Sequence, residues 1–292
     1  MKPIDVSIMI YGKPYHTAVA LHSLYKYSGH LINKIFVTFE KNQPFNSEPE
    51  LLNELLIGLP IEYNVSKYHF GARDMSQGLK NRAKFYIPSF RKSVKYQFAF
   101  EESKNTYLFI LHNDMIFKGD LLSYYMEQIE DDIAVATVGQ CWNCPAHQTK
   151  CDSHSYFDYR PSAKEIEDLY IDFPNQRPVI QKVIGNGKTG WPLPECRLNE
   201  YVTLFNRKKV RKISIPYGSV RPFGIHNNLD FGIPWFRDVS LKGYKLKHVA
   251  FDEFAIHGWT SNSAGGTNSL VNKSMYEIEE DMAKETFLNK SY

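Results

Sequence analysis

No stretch of this chain approaches the ~20 consecutive apolar residues that a membrane-spanning helix needs. Its opening, Met1-Lys2-Pro3-Ile4-Asp5, leads directly into a strand pattern instead of a signal peptide. Both absences predict a cytoplasmic protein, in which the sequon Asn64-Val65-Ser66 carries no weight. A strong charge of either sign is also missing. The 35 basic and 32 acidic residues leave a net charge of +3, which demands no polyanionic partner and argues against nucleic acid. There is no glycine-rich phosphate loop of the P-loop or Rossmann kind, so a bound diphosphate would have to be neutralised by something other than a cradle of backbone amides. No internal repeat is present, and cysteine is scarce, with four in 292 residues.

What the chain does have is apolar and aromatic mass: 43% hydrophobic residues and 14% aromatic, with 19 tyrosines and 19 phenylalanines. That is enough for a full core, as one large α/β domain or two modest ones. The aromatic residues suit concave sites that bind rings and sugars, and they equally suit a thick core.

The most informative stretch is 106–117, TYLFILHNDMIF. Tyr107-Leu108-Phe109-Ile110-Leu111 is too short to span a membrane and too continuous for a half-exposed strand, so it reads as a central strand covered on both faces. It stops at His112, Asn113 and Asp114. In open α/β sheets ligands bind outside the carboxyl ends of such strands, and an Asp at that edge beside Asn and His is placed for a hard cation and the diphosphate it would hold. The plainer alternative is that Asp114 caps the helix that follows.

Upstream, a strand at 6–12, a helix at 17–27, a strand at 33–40, a helix at 49–59 and a strand at 61–65 form a β-α-β-α-β alternation, which predicts a parallel sheet. Residues 66–105 read as a loop with one or two helices and contain Phe70-Gly71-Ala72-Arg73-Asp74. After Asp114 come a helix at 121–129 and a strand at 133–138. From Cys141 to Cys196 the chain is loop-rich. Short strands at 199–205 and 210–215, a helix at 233–242, a strand at 244–251 and a helix at 273–287 complete it, with a Ser/Gly/Asn segment at 261–269 that has the composition of a lid. The two halves, 1–140 and 141–292, are expected to form one compact domain. The basic run Arg207-Lys208-Lys209-Val210-Arg211-Lys212 reads as a solvated strand edge or turn, with anionic lipid or a phosphorylated acceptor as the minority reading.

The cysteines fall together as Cys141-x2-Cys144-x6-Cys151 and then Cys196. In a cytoplasmic chain this favours a metal over disulfides, and four thiolates suit a closed, tetrahedral, structural zinc. His147 and His154 are spare ligands. Buried free thiols and redox chemistry are the alternatives.

This order of parts resembles the GT-A glycosyltransferases, in particular the large inverting family 2 type that uses nucleotide-diphosphate sugars. The resemblance implies a mixed, mainly parallel sheet flanked by helices, with the cysteine segment as a loop-rich insertion. It makes Asp114 the counterpart of the last acid of the family's Asp-x-Asp metal element, with His112 in place of the first. His257, in Ala255-Ile256-His257-Gly258-Trp259, is the counterpart of a C-terminal His that completes the shell of a Mg or Mn ion. Asp230 becomes the general base, Asp252 and Glu253 its reserves, and an N-cap its alternative role.

Tyr11, Gly12 and Glu40 would meet base and ribose, with Arg73, Asp74 and Asn113 beside them. The implied reaction moves a single sugar, with inversion, to a hydroxyl of a glycan or lipid-linked acceptor in polysaccharide biosynthesis, with the inner face of the membrane as the place for any peripheral contact. The Gln-x-x-Arg-Trp element and membrane helices of the processive synthases do not occur. The rival readings are a nucleotidyltransferase on a similar sheet and a zinc-stabilised, non-catalytic binding module.

Overall fold

Four apolar runs in the first 111 residues become four parallel strands, as their alternation with helical segments predicts. The computed structural model describes residues 2–68, 79–149, 151–174, 191–193, 195–225, 230–260 and 268–292. Along these the order is β1 (Ile4–Ile10), α1 (Pro14–Ser28), β2 (Ile32–Phe39), α2 (Leu52–Leu55), β3 (Ile61–Val65), α3 (Leu79–Lys84), α4 (Pro88–Arg91), α5 (Gln97–Glu102) and β4 (Tyr107–Leu111). There follow β5 (Met115–Phe117), α6 (Leu121–Gln128), β6 (Ala134–Val138), α7 (Ala163–Asp172), β7 (Leu198–Asn206), α8 (Arg207–Ile213), α9 (Ile233–Leu241), β8 (Lys247–His248), β9 (Ala255–His257) and α10 (Lys273–Leu288).

The main sheet has seven strands in the order β3-β2-β1-β4-β7-β6-β8. β1 is parallel to β2 and β4, β2 to β3, and β6 to β8; β7 is antiparallel to both its neighbours, β4 and β6. This is the mixed, mainly parallel α/β sheet flanked by helices that was expected. Every residue of β1 and β4 is buried, as continuous apolar strands covered on both faces should be. Alternate side chains of β4 feed two cores: Phe109 and Leu111 pack with Leu21 and Leu24 of α1, while Leu108 and Ile110 pack with Phe205, Trp235 and Phe236. No helix among the described residues is long and apolar enough to cross a membrane.

Several local expectations give way. The helix expected at 49–59 contracts to a 3-10 turn, Pro49–Leu51, and the four residues of α2, because Gly58 takes φ +90 and Pro60 follows. The strand expected at 210–215 is instead helix α8: the Asn206 side chain accepts from Lys209 N at 3.2 Å and caps it, a local bond that outweighs the β-branched pair Val210 and Ile213. Its basic residues are not a solvated strand edge. Arg207 donates to Asn105 O and Phe100 O, Lys209 to Asp131 O, and Arg211 approaches Glu101.

The strand expected at 244–251 shrinks to the two residues of β8. β5 and α7 were not anticipated; α7 is started by a capping box of Ser162 and Glu165. The segment at 261–269 falls almost wholly outside the described residues, as do Arg73 and Asp74.

The last helix docks on the first. Glu280 of α10 accepts from Tyr15 N at 2.5 Å and His16 N at 3.5 Å, which places a carboxylate on the orphan amides at the start of α1. Lys13 pairs with Glu279 beside it, both nearly buried.

Candidate active site

The site forms where β4 ends. Its antiparallel pairing with β7 matches Leu111 to Val202 and continues as His112 N donating to Tyr201 O at 3.0 Å. The chain then turns through Asn113 and Asp114 into β5, which pairs antiparallel with β9 so that Met115 faces His257. Gly258 N donates to Asp114 O at 2.9 Å. Two strand pairings therefore bring three distant residues together by backbone register.

Their side chains converge as the strands require. His257 Nε2 lies 3.4 Å from Asp114 Oδ2, and His112 Nδ1 lies 3.7 Å from Asp114 Oδ1. One donor atom from each of His112, Asp114 and His257 falls within 4.8 Å of the other two. Among the described residues this is the one group of three or more such side chains that close. Asp114 is not a helix cap: that role belongs to Asp120, whose Oδ1 accepts from Ser123 N at 3.2 Å at the start of α6.

Burial works to raise the Asp114 carboxyl, but the imidazoles of His257 and His112, with His16 and Lys13 behind them, outweigh it and hold the group below its ordinary value. Burial pushes His257 below the ordinary imidazole value, and Asp114 only partly opposes it. Near neutral pH the pair is thus a carboxylate and a neutral imidazole, the two forms that ligate a metal. Asp114 Oδ1 is buried without a hydrogen-bond partner, a costly state for a carboxylate oxygen that a cation would relieve. The donor set fits a divalent ion.

Four residues around this cluster went unread in the sequence. Glu200 of β7 is 3% exposed and lies 2.9 Å from His112 Nε2 and 3.1 Å from Lys95 Nζ. Burial alone would raise its carboxyl, yet Lys95, His112 and Arg197 drive it far below the usual range. A carboxylate on the outer nitrogen of a ligating His fixes its tautomer and leaves the inner nitrogen for the metal. Tyr201 stacks on His257 with ring centroids 3.7 Å apart and planes 20° apart. Arg197, nearly buried, pairs with Asp230 at 2.9 Å. The available signal was four polar residues, Glu195, Arg197, Asn199 and Glu200, at the mouth of an otherwise apolar strand.

Asp230 stands at the flank of the cluster. Its Oδ1 accepts from Phe231 N at 2.9 Å and meets Arg197 Nη1, and it bears electrostatically on Tyr201. It is not the N-cap of α9, which is Gly232 at φ +76. Asp252 and Glu253 lie exposed in the turn before β9, and the neighbours of Asp252 are Tyr125 and His248.

Tyr11, Gly12 and Glu40 line the same carboxyl edge, after β1 and β2. Gly12 N donates to Gln43 Oε1 at 2.7 Å, and Gln43 Nε2 donates to Glu40 O at 2.8 Å, which ties the two strand ends together. Gly12 has φ +70, and a Cβ there would meet Pro44 Cγ at 2.7 Å, so only glycine fits. Asn113 Nδ2 faces Thr17 Oγ1 at 3.5 Å.

The four cysteines lie elsewhere, around one pocket beside the end of β6 that His147 and Glu195 also line. None is in a disulfide. Burial raises the Cys144 and Cys196 thiols strongly and the Cys151 thiol to about 11. His154 packs edge-on to His248 with centroids 4.7 Å apart and is not among the pocket residues.

No protein-family model matches the chain, and no curated protein matches it. Solved structures do align with it. A mannosyltransferase from Pyrobaculum calidifontis, in complex with GDP-Man and Mn2+, aligns over 85% of this chain and 55% of its own at 10% identity and a TM-score of 0.47. This chain thus spans little more than half of that protein's length. Core-mannan synthase A from Aspergillus fumigatus, in its Mn/GDP form, aligns over 88% of this chain and 75% of its own at 9% identity and a TM-score of 0.45. A 4-diphosphocytidyl-2C-methyl-D-erythritol synthase from Anaerococcus prevotii aligns over 85% and 89% at 9% identity and a TM-score of 0.43. Likeness at these values is one of chain course and assigns no activity.

Proposed function

We propose that this chain is an inverting glycosyltransferase that moves a single sugar from a nucleotide-diphosphate donor to a hydroxyl of a glycan or lipid-linked acceptor in the cytoplasm. The observation that carries the reading is the convergence of His112, Asp114 and His257 at the carboxyl end of a central parallel strand, with a buried Asp114 oxygen that has no hydrogen-bond partner.

His112, Asp114 and His257 would hold a Mn or Mg ion; two imidazoles beside one carboxylate favour the transition ion. When bound, such an ion supplies positive charge to the leaving diphosphate. Glu200, 2.9 Å from His112 Nε2, would favour the tautomer that leaves Nδ1 for the metal, and the Tyr201 ring lies flat against His257. Tyr11, Gly12 and Glu40 meet base and ribose along the edge of β1 and β2, with Asn113 beside them; Arg73 and Asp74 belong to the same reading. Asp230 accepts the proton of the acceptor hydroxyl as its oxygen attacks the anomeric carbon, while Arg197 keeps the carboxylate oriented.

The test is calorimetric titration with UDP-, GDP- and CMP-sugars, with and without Mn, repeated on Asp114→Asn. Metal-dependent binding of one donor, lost in the variant, is expected and names the sugar. Formation of a nucleotide-sugar from a triphosphate and a sugar phosphate would move the assignment to nucleotidyl transfer. Failure of every donor to bind would make the chain a binding module.

A further inference from the structure

We propose that the cysteine pocket is a structural zinc site, separate from the reaction, with Cys141, Cys144, Cys151 and Cys196 as its four ligands. Three separate stretches of chain deliver these thiols: the 3-10 turn Cys141–Asn143 with the next residue, the loop at Cys151, and the approach to β7 at Cys196. Chance burial of free thiols does not require that every cysteine of the chain meet in one place.

The backbone agrees with this assignment. His147 N donates to Cys144 O at 3.1 Å, which closes the turn that carries this thiol into the pocket. A Cβ on Gly139, at φ +81, would stand 3.0 Å from Cys141 Sγ, so the backbone there is bared to let the sulfur approach. Soft thiolates select zinc over manganese or magnesium. Four of them leave no open coordination position, which makes the role structural.

The pocket is wider than a loaded site: no three of the sulfurs lie within 4.8 Å of one another. Cys141 Sγ rests 3.1 Å from Ser153 Oγ, whose own hydrogen goes to Val138 O at 2.7 Å. Loading requires Cys141 to leave that contact and the loop at Cys151 to close inward, with release of the thiol protons. The gain falls where the fold is thinnest, because between β6 and β7 the described residues hold α7 and two short 3-10 turns but no strand. Cys196 directly precedes Arg197, so the ion would anchor Arg197 and the entry to β7, which carries Glu200 and Tyr201.

The experiment is elemental analysis of the full chain, purified without metal affinity steps, together with cobalt exchange. One zinc per chain, a thiolate-to-cobalt charge-transfer band in the exchanged protein, and retention of the zinc by Asp114→Asn are expected. Cys144→Ser should lose it. Zinc-free wild-type protein whose four thiols all react with a thiol reagent, with no cobalt-thiolate band, overturns the proposal even if the serine variant fails to fold. So does zinc that disappears in Asp114→Asn, which would place the ion among His112, Asp114 and His257.

Discussion

The edge of β4 and the cysteine pocket are both built from metal-ligating side chains, yet they are held together by opposite means. At the edge, strand pairing sets the ligands: His112 by β7, Asp114 and His257 by β5 against β9, all with donor atoms within 4.8 Å. In the pocket the cysteines sit on turns and a loop, and no three of their sulfurs close to that distance. Where hydrogen-bonded strands fix the donors, the fold makes the site. Where only turns carry them, the proposed ion makes the local fold.

Loss of a ligand sharpens this contrast most. Asp114→Asn should lower transfer activity by ~10³-fold with only a small loss of thermal midpoint, since the lost pairing with His112 and His257 is offset by removal of a charge whose Oδ1 has no hydrogen-bond partner. Cys144→Ser should do the reverse: a midpoint lower by more than about 5 °C, the shift that ~2 kcal/mol produces in a chain of this size, with manganese affinity kept. Activity assays and thermal melts on both variants check the pair, and a midpoint loss in Asp114→Asn as large as that in Cys144→Ser would break the comparison.

A smaller effect tests the support behind the edge. Glu200→Gln leaves Lys95 and His112 without their shared counter-charge, so it should cost ~3 kcal/mol of stability and weaken manganese binding by 10- to 100-fold, or about tenfold at the least. Denaturant unfolding and metal titration read the two effects separately. A loss of stability with unchanged affinity would reduce Glu200 to a packing residue.

The smallest expected effect is in pH. His257 is depressed below its ordinary 6.5 by burial. Its neutral form therefore contributes stability and ligation fully above that ordinary value, and both are lost as pH falls through the lower folded value. Manganese affinity should be flat from neutral pH down to about 6.5 and decline only below it. A decline that begins above neutrality would contradict the buried, neutral ligand.

The central strand could be read in the sequence because Tyr107 to Leu111 is continuously apolar, and the same run pointed to Asp114 at its end. His257 was legible from its place after a strand-like run, although its partner β5 was not: Met115-Ile116-Phe117 is too short to show a period and is a strand only because β9 lies against it. Glu200 escaped notice for a related reason. A carboxylate within an apolar strand looks like an interruption until the antiparallel neighbour places His112 and Lys95 around it. Helix α8 was misread because β-branched residues at 210–215 outweighed a cap that depends on one Asn side chain.

The contact of Glu280 with Tyr15 and His16 spans 265 and 264 residues. On the ribosome, the first helix is therefore made long before the carboxylate that completes its amino end. Until residues 260–280 have emerged, His16 lacks Thr260 on its Nε2 and Glu280 on its Nδ1, and the turn between β1 and α1 stays unfinished. The amino end of α1 is thereby closed only once Glu280, midway along α10 (Lys273–Leu288), has been made.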